Sequence, residues 1–296
     1  MAPTTSGTEI TLTSGDWAAR IVSVGAGMAG LTLRGVDLIH PHSADEVPDG
    51  FLGKTLIPWP NRIANGTYTW RGVTREVAVN EPQTGSALHG LMCWVDWDIV
   101  HSDEDSVTLA ALVAGQPGYP WALRSCVTYA LHHGSGLSVT ITSTNIGSET
   151  APYGVSSHPY LTIGEADVDS YRLSVPAAAV AEVDEDLIPI RTVAVDSVDL
   201  DLRSGDLVGP KSIDHAFTDL PAGPWQVRLE KDGSWVEMSS DAPWVQVYSG
   251  ERLGRRSIAV EPMTCAPNAF NSGDGLIELE PGQSHTLTFT INGHVE

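Results

Sequence analysis

Positive charge is scarce in this chain of 296 residues. Sixteen Lys and Arg stand against 37 Asp and Glu, for a formal net charge of −21, and the only lysines are Lys54, Lys211 and Lys231. Binding to nucleic acid or an anionic membrane needs a basic face that releases counterions, so neither partner is expected. Cysteine is also sparse. Cys93, Cys126 and Cys265 are odd in number and form no Cys-x-x-Cys pair, which excludes a disulfide framework or a zinc knuckle and predicts reduced, mostly buried thiols. No stretch reaches the ~18 uninterrupted apolar residues of a membrane span, and Met1–Gly7 lacks the charged-then-apolar order of a leader. The expected location is the cytoplasm. The chain has no GxGxxG at a strand–helix junction, no P-loop, no HExxH and no GxSxG elbow. A nucleotide cofactor, zincin chemistry and a serine nucleophile are therefore not expected, and no cofactor is predicted.

Long helices are missing too, because 29 glycines and 19 prolines punctuate the chain. What is there instead is a period of two. Thr8–Thr13, Ser106–Ala110, Leu137–Thr142, Gln226–Glu230, Trp235–Met238 and Thr286–Ile291 alternate apolar and polar residues, the pattern of half-buried strands. Turn signals such as His133-Gly134-Ser135-Gly136 and Lys231-Asp232-Gly233-Ser234 make hairpins of Tyr129–Ile141 and Trp225–Met238. Many short antiparallel strands predict an all-β sandwich or barrel, here as one domain over residues 1–296. The acidic stretch Ala177–Asp201 reads as an irregular surface excursion.

A few residues stand out from this background. Glu261 rides on an apolar run, Ser257-Ile258-Ala259-Val260-Glu261-Pro262, and Pro262 is expected to end the pairing there. A carboxylate so placed is either desolvated, with a raised pKa, or held by a dedicated donor; the bland alternative is a strand-end cap. His89 sits in Ala87-Leu88-His89-Gly90, where glycine permits a close backbone approach. His158 sits in Ser156-Ser157-His158-Pro159-Tyr160, where Pro159 breaks the ladder. Arg62, in the rigid Pro58-Trp59-Pro60-Asn61-Arg62-Ile63, reads as a ligand-binding guanidinium, a structural one paired to a carboxylate, or both. Asp214, between Ile213 and Phe217, is either an ion-pair partner or an acceptor for vicinal hydroxyls. His40 and His42 lack further ligands at metal spacing. His101, His132, His133, His285 and His294 lie in polar contexts and read as surface.

In order along the chain, these segments resemble one family, the aldose 1-epimerases or galactose mutarotases. The resemblance rests on Asn61-Arg62-Ile63, Asn80 with Leu88-His89-Gly90, Gly118-Tyr119-Pro120, Thr144-Asn145, His158-Pro159-Tyr160, Asp214-His215-Ala216-Phe217, Val245–Gly250 and Glu261. It implies a large antiparallel β-sandwich of the galactose mutarotase type, with an open sugar groove and no metal. By position Glu261 would be the general base and His158 the general acid, while Arg62, His89 and Asp214 would bind sugar hydroxyls. Ile57-Pro58-Trp59-Pro60, where galactose-type members usually have Gly-Arg-Tyr-Ala, and Pro262-Met263-Thr264 after the glutamate look closer to a bacterial epimerase-like branch, some of it associated with sulfoquinovose breakdown. The reaction implied is anomer interconversion of a free monosaccharide by acid–base ring opening and reclosure, performed by a monomer or homodimer. A glycoside hydrolase using Asp214 and Glu261 and a non-catalytic sugar-binding sandwich are the alternatives. A hexose-6-phosphate mutarotase would need further Arg or Lys at the groove.

Overall fold

The computed structural model describes residues 4–296; residues 1–3, part of the stretch read above for a leader, lie outside the described residues. Strands that alternate polar and apolar side chains have one face to bury, and two antiparallel sheets stack those faces into a sandwich. A ten-stranded sheet runs Glu9–Ser14, Trp17–Val22, Gly27–Leu33, Val36–Ile39, Tyr160–Leu161, Ile258–Met263, Trp244–Tyr248, Asp214–Thr218, Ala179–Val183, Pro189–Ala194. A nine-stranded sheet runs Asp98–Ser102, Ser106–Val113, Leu123–His132, Gly136–Asn145, Ser284–His294, Ser234–Ser240, Trp225–Lys231, Arg172–Ser174, Asp206–Leu207. In Gly136–Asn145 the alternation is visible directly. Leu137, Val139 and Ile141 enter the common core, while Ser138, Thr140 and Thr142 face outward. Both predicted hairpins form, through Leu123–His132 with Gly136–Asn145 and Trp225–Lys231 with Ser234–Ser240. The one α-helix among the described residues is the four-residue Ala269–Ser272. Among the described residues no helix is long and apolar enough to cross a membrane. All three cysteines are free, with Cys93 and Cys265 buried.

Two expectations need correction. Ala177–Asp201 is not irregular: Ala179–Val183 and Pro189–Ala194 pair as a hairpin and form one edge of the ten-stranded sheet. Of its acids only Glu182 lies within a strand; Asp184, Glu185 and Asp186 sit in the connecting turn, and Asp196, Asp199 and Asp201 follow the second strand. Nor does Pro262 end its strand. Ile258–Met263 continues through it, with Pro262 opposite Val245 and Met263 opposite Trp244. The reason lies in N–H direction. The N–H groups of Val260 and Thr264 point away from Trp244–Tyr248, to the carbonyls of Pro159 and Val155. Pro262 shares their phase, and Tyr160–Leu161 pairs only as far as Ala259 on that side. The missing donor therefore costs no ladder bond.

The same strand explains why its sequence looks uniformly apolar. All six residues of Ile258–Met263 are buried, because both faces of the sheet are covered here. Ile258 and Val260 enter the sandwich core. On the outer face, Ala259 packs with Leu52 and Tyr160, and Met263 with Trp244 and Ala266. Glu261 shares the phase of Ala259 and Met263, so it points out of the sandwich, into a layer of loops.

Candidate functional site

A pocket of about 250 Å³ opens on this outer face, and Arg62, His89, His158, Asp214 and Glu261 all line it. The ladder sets the acidic half. Gln246 stands directly across from Glu261, and Asp214 across from Tyr248, so the four side chains share one face of three adjacent strands. Gln246 Nε2 donates to Asp214 Oδ1 at 2.6 Å, while its own Oε1 is buried without a partner.

The histidines come from breaks in pairing. His158 and Pro159 separate the short strands Ser156–Ser157 and Tyr160–Leu161. The backbone of His158 is clamped from both sides, its N–H donating to Lys54 O and its carbonyl accepting from Gly53 N–H. His158 Nε2 lies 3.3 Å from Glu261 Oε1, with both side chains almost wholly buried. His89 adopts a left-handed conformation, φ 63°, beside Asn61 at φ 54°. The Asn80 side chain, bonded to both the N–H and the carbonyl of Leu88, anchors that turn. At Gly90 a Cβ would collide with the Ile57 carbonyl, the close approach that glycine had predicted.

Electrostatics follow from this burial. Desolvation pushes the His158 imidazole down to about 3, and pushes His89 well below the ordinary histidine value, with the neighbouring His158 and Arg62 acting in the same direction. Burial drives Glu261 well above the usual carboxylate range, the Asp214 charge adds to this, and Arg62 opposes it. Burial therefore disfavours the charged form of both groups, imidazolium and carboxylate alike. The neutral pair and the imidazolium–carboxylate pair each hold one proton and differ by its transfer across 3.3 Å. Asp214 is also raised by desolvation, against the pull of Arg62 and Gln246.

Arg62 meets the structural reading left open above, a guanidinium paired to a carboxylate. It lines the pocket, and its Nε and Nη2 donate to the two carboxylate oxygens of Glu81 at 2.7 and 2.9 Å. Thr84 donates a third hydrogen bond to Glu81 at 2.5 Å. Burial alone would raise the Glu81 carboxyl, but the Arg62 and Thr84 hydrogen bonds outweigh it and hold the pKa low. Among the described residues Asp214 makes no ion pair; its partner is Gln246.

Glu81, Phe51 and Arg252 also line the pocket and were not anticipated. Nothing local marks Glu81, which lies 19 residues beyond Arg62 in an irregular segment. Phe51 packs edge-on against His89 at 4.7 Å. Arg252 is exposed, and no ion pair holds it among the described residues. Of the remaining histidines, His42 is buried and bonded to the Ser43 carbonyl, and His285 is half-buried rather than a surface residue.

Ligand atoms of His89, His158 and Glu261 lie within 4.8 Å of one another, close enough to consider a metal ion. The hydrogen bonding of His89 argues against one. Its Nδ1 accepts the Asn61 backbone N–H at 3.2 Å, so the neutral ring keeps its proton on Nε2. A metal-bound histidine does the reverse, donating through its free nitrogen. His89 is set up to offer an N–H to an oxygen of a ligand.

Comparison with known proteins agrees with this geometry. A family model described as aldose 1-epimerase matches residues 8–292. The chain is 46% identical over 293 residues to the Escherichia coli (strain K12) protein YihR, whose name marks it as uncharacterised; the match covers 97% of this chain and 94% of that protein. An aldose 1-epimerase of the same organism is 29% identical, over 69% of this chain and 64% of its own length. Among solved structures, a GalM/aldose epimerase homologue from C. elegans superposes with a TM-score of 0.89 at 21% identity, covering 98% of this chain and 99% of that one.

Proposed function

The chain belongs to the aldose 1-epimerase family, and from that premise we propose that the His158–Glu261 pair carries its reaction. The protein is an isomerase that interconverts the α and β anomers of a free aldose. Opening the hemiacetal requires a base at the C1 hydroxyl and an acid at the ring oxygen, and reclosure on the other face reverses both transfers. Each group must therefore work in both directions, and a pair that holds one proton between them meets this demand. In the proposed assignment Glu261 is the base and His158 the acid, the form reached when the shared proton sits on His158. The single observation that carries it is the buried 3.3 Å contact between the two groups at the floor of the pocket.

His89 Nε2–H, Arg62 and Asp214 are proposed to hold sugar hydroxyls, with the unpartnered Gln246 Oε1 as a further acceptor. A substrate hydroxyl in that position would complete the last hydrogen bond of a buried amide. Positioned proton transfer supplies about 10²–10⁴-fold per group, and mutarotation also proceeds unaided in water, so no cofactor is required in this reading. The hydrolase alternative loses ground because Glu261 meets His158, while Asp214 is engaged by Gln246. A cytoplasmic location remains the reading of the cysteine content.

Arg252, an exposed guanidinium at the pocket with no ion pair among the described residues, favours an aldose that carries a negatively charged substituent over a neutral one. Anomer-exchange NMR with glucose, galactose and sulfoquinovose tests function and preference together. Saturable exchange above the uncatalysed rate is expected, fastest for the anionic sugar. Exchange at the background rate, alongside measurable binding, would instead mark a sugar-binding sandwich.

A further inference from the structure

One aromatic ring of the pocket has a position that hydroxyl recognition does not explain. Phe51 ends the turn Asp49–Phe51 in a left-handed conformation, φ 57°, directly after Gly50 at φ 60°. A bulky residue rarely adopts that conformation, which persists only where surrounding contacts over-determine it. Those contacts converge on the two histidines. The Phe51 ring lies edge-on to His89 at 4.7 Å and near-parallel to His158 at 6.4 Å and 21°. Tyr160 is also near-parallel to His158, at 5.0 Å and 16°. The imidazole is thus flanked by two rings almost in its own plane orientation. Tyr160 is tied to the Phe51 turn as well, its hydroxyl donating to Gly50 O at 2.9 Å. Trp94 backs Phe51 at 5.6 Å.

We propose that Phe51 is a positioning residue for the proton-transferring pair: its ring fixes the plane of the His158 imidazole against Glu261 and keeps water off it. The proposal rests on the assignment of His158 and Glu261 above. A flat apolar ring suits this task because it fills space beside the imidazole without offering a competing donor or acceptor. Among the described residues, apart from its backbone clamp, His158 has one polar partner within reach, Glu261, and its Nδ1 is buried without any. Packing therefore has to supply the orientation that a second hydrogen bond usually supplies. The titratable and charged groups around the imidazole are Glu261, the His89 ring, the Tyr160 hydroxyl and, across the pocket, Arg62 with Glu81, Asp214, Tyr248 and Arg252. Lys54, on the same segment as Phe51, is turned away, donating to Val24 O and lying over the Trp94 ring.

The test is Phe51→Leu in the full-length protein, read by exchange NMR and by ring ¹⁵N titration of His158. A misplacement of about 1 Å at a reacting group costs about 10²-fold, so kcat is expected to fall about tenfold to a hundredfold, with KM changed less than threefold. Water admitted to the ring relieves the desolvation that holds His158 down, so its titration midpoint should move up toward that of an ordinary histidine. Wild-type kcat with an unmoved His158 titration overturns the proposal, as does a loss confined to KM, which would make Phe51 a sugar contact. His158→Asn run in parallel separates the two readings. If it is inactive while Phe51→Leu matches wild type, only the role of Phe51 falls; if it retains exchange, the assignment of the pair falls first. Should Phe51→Leu not fold, Phe51→Met, which keeps bulk without a flat face, is read by the same criteria.

Discussion

Arg62 presents its guanidinium fork to Glu81, and both carboxylate oxygens are taken, at 2.7 and 2.9 Å, with each side chain less than a tenth exposed. The pairing fixes the plane in which Arg62 reaches the pocket. Removing one partner of a buried pair leaves an uncompensated charge, at a cost of about 3–5 kcal/mol. Glu81→Gln is expected to destabilise the fold by that order in urea unfolding. Arg62→Lys is expected to lose sugar affinity despite keeping its charge, since an ammonium cannot replace the fork. The double variant Arg62→Met, Glu81→Leu should recover stability while sugar binding stays weak. Recovery of binding in the double variant would show that Arg62 acts in structure alone.

Glu261 is predicted to burden the fold it serves. Its folded-state pKa is raised well above the ordinary carboxylate value by burial and the Asp214 charge. Below the unfolded value both states are protonated and nothing is lost. As pH rises past it, the unfolded chain releases the proton first, and stability falls until the folded pKa is reached. Glu261→Gln removes that loss. Its melting temperature should exceed that of wild type at pH 8 by about 2–4 °C for each kcal/mol relieved, with the gap closing toward pH 4. Equal melting temperatures at both pH values would mean that the carboxyl is not desolvated.

Lys54 gives the opposite slope. It is fully buried, makes no ion pair among the described residues, and desolvation lowers its pKa to about 8. Between about pH 8 and the ordinary lysine value of 10.5, the unfolded chain holds a proton that the folded chain has released, so stability rises with pH across that window. Lys54→Met should lack this rise in denaturation measured from pH 7.5 to 10. A slope retained in the variant would assign it to another group.

Much of this was legible in the sequence. Alternation gave the strands and both hairpins, and ordered short motifs brought Arg62, His89, His158, Asp214 and Glu261 together before any coordinates. What escaped depends on three-dimensional neighbours. That Pro262 can sit inside a strand follows from where Tyr160–Leu161 stops pairing, which no local pattern states. The Ala177–Asp201 acids disguised two strands because all but Glu182 lie in the turn between them and the loop after them, not in the paired residues. Glu81 and Phe51 lie in turns whose approach to the pocket is set by the sheets beneath them. What residue types do not report is how fully both members of the pair are buried, which disfavours the charged form of each.

The most direct test of the account is anomer-exchange NMR on Glu261→Gln and His158→Asn, each verified as folded. Loss of one proton-transferring group predicts exchange at least about 10²-fold slower than wild type, with sugar binding retained in both. Wild-type exchange in Glu261→Gln would contradict the account at its centre, because the pocket would then be turning over sugar without the carboxylate that its three strands converge to place.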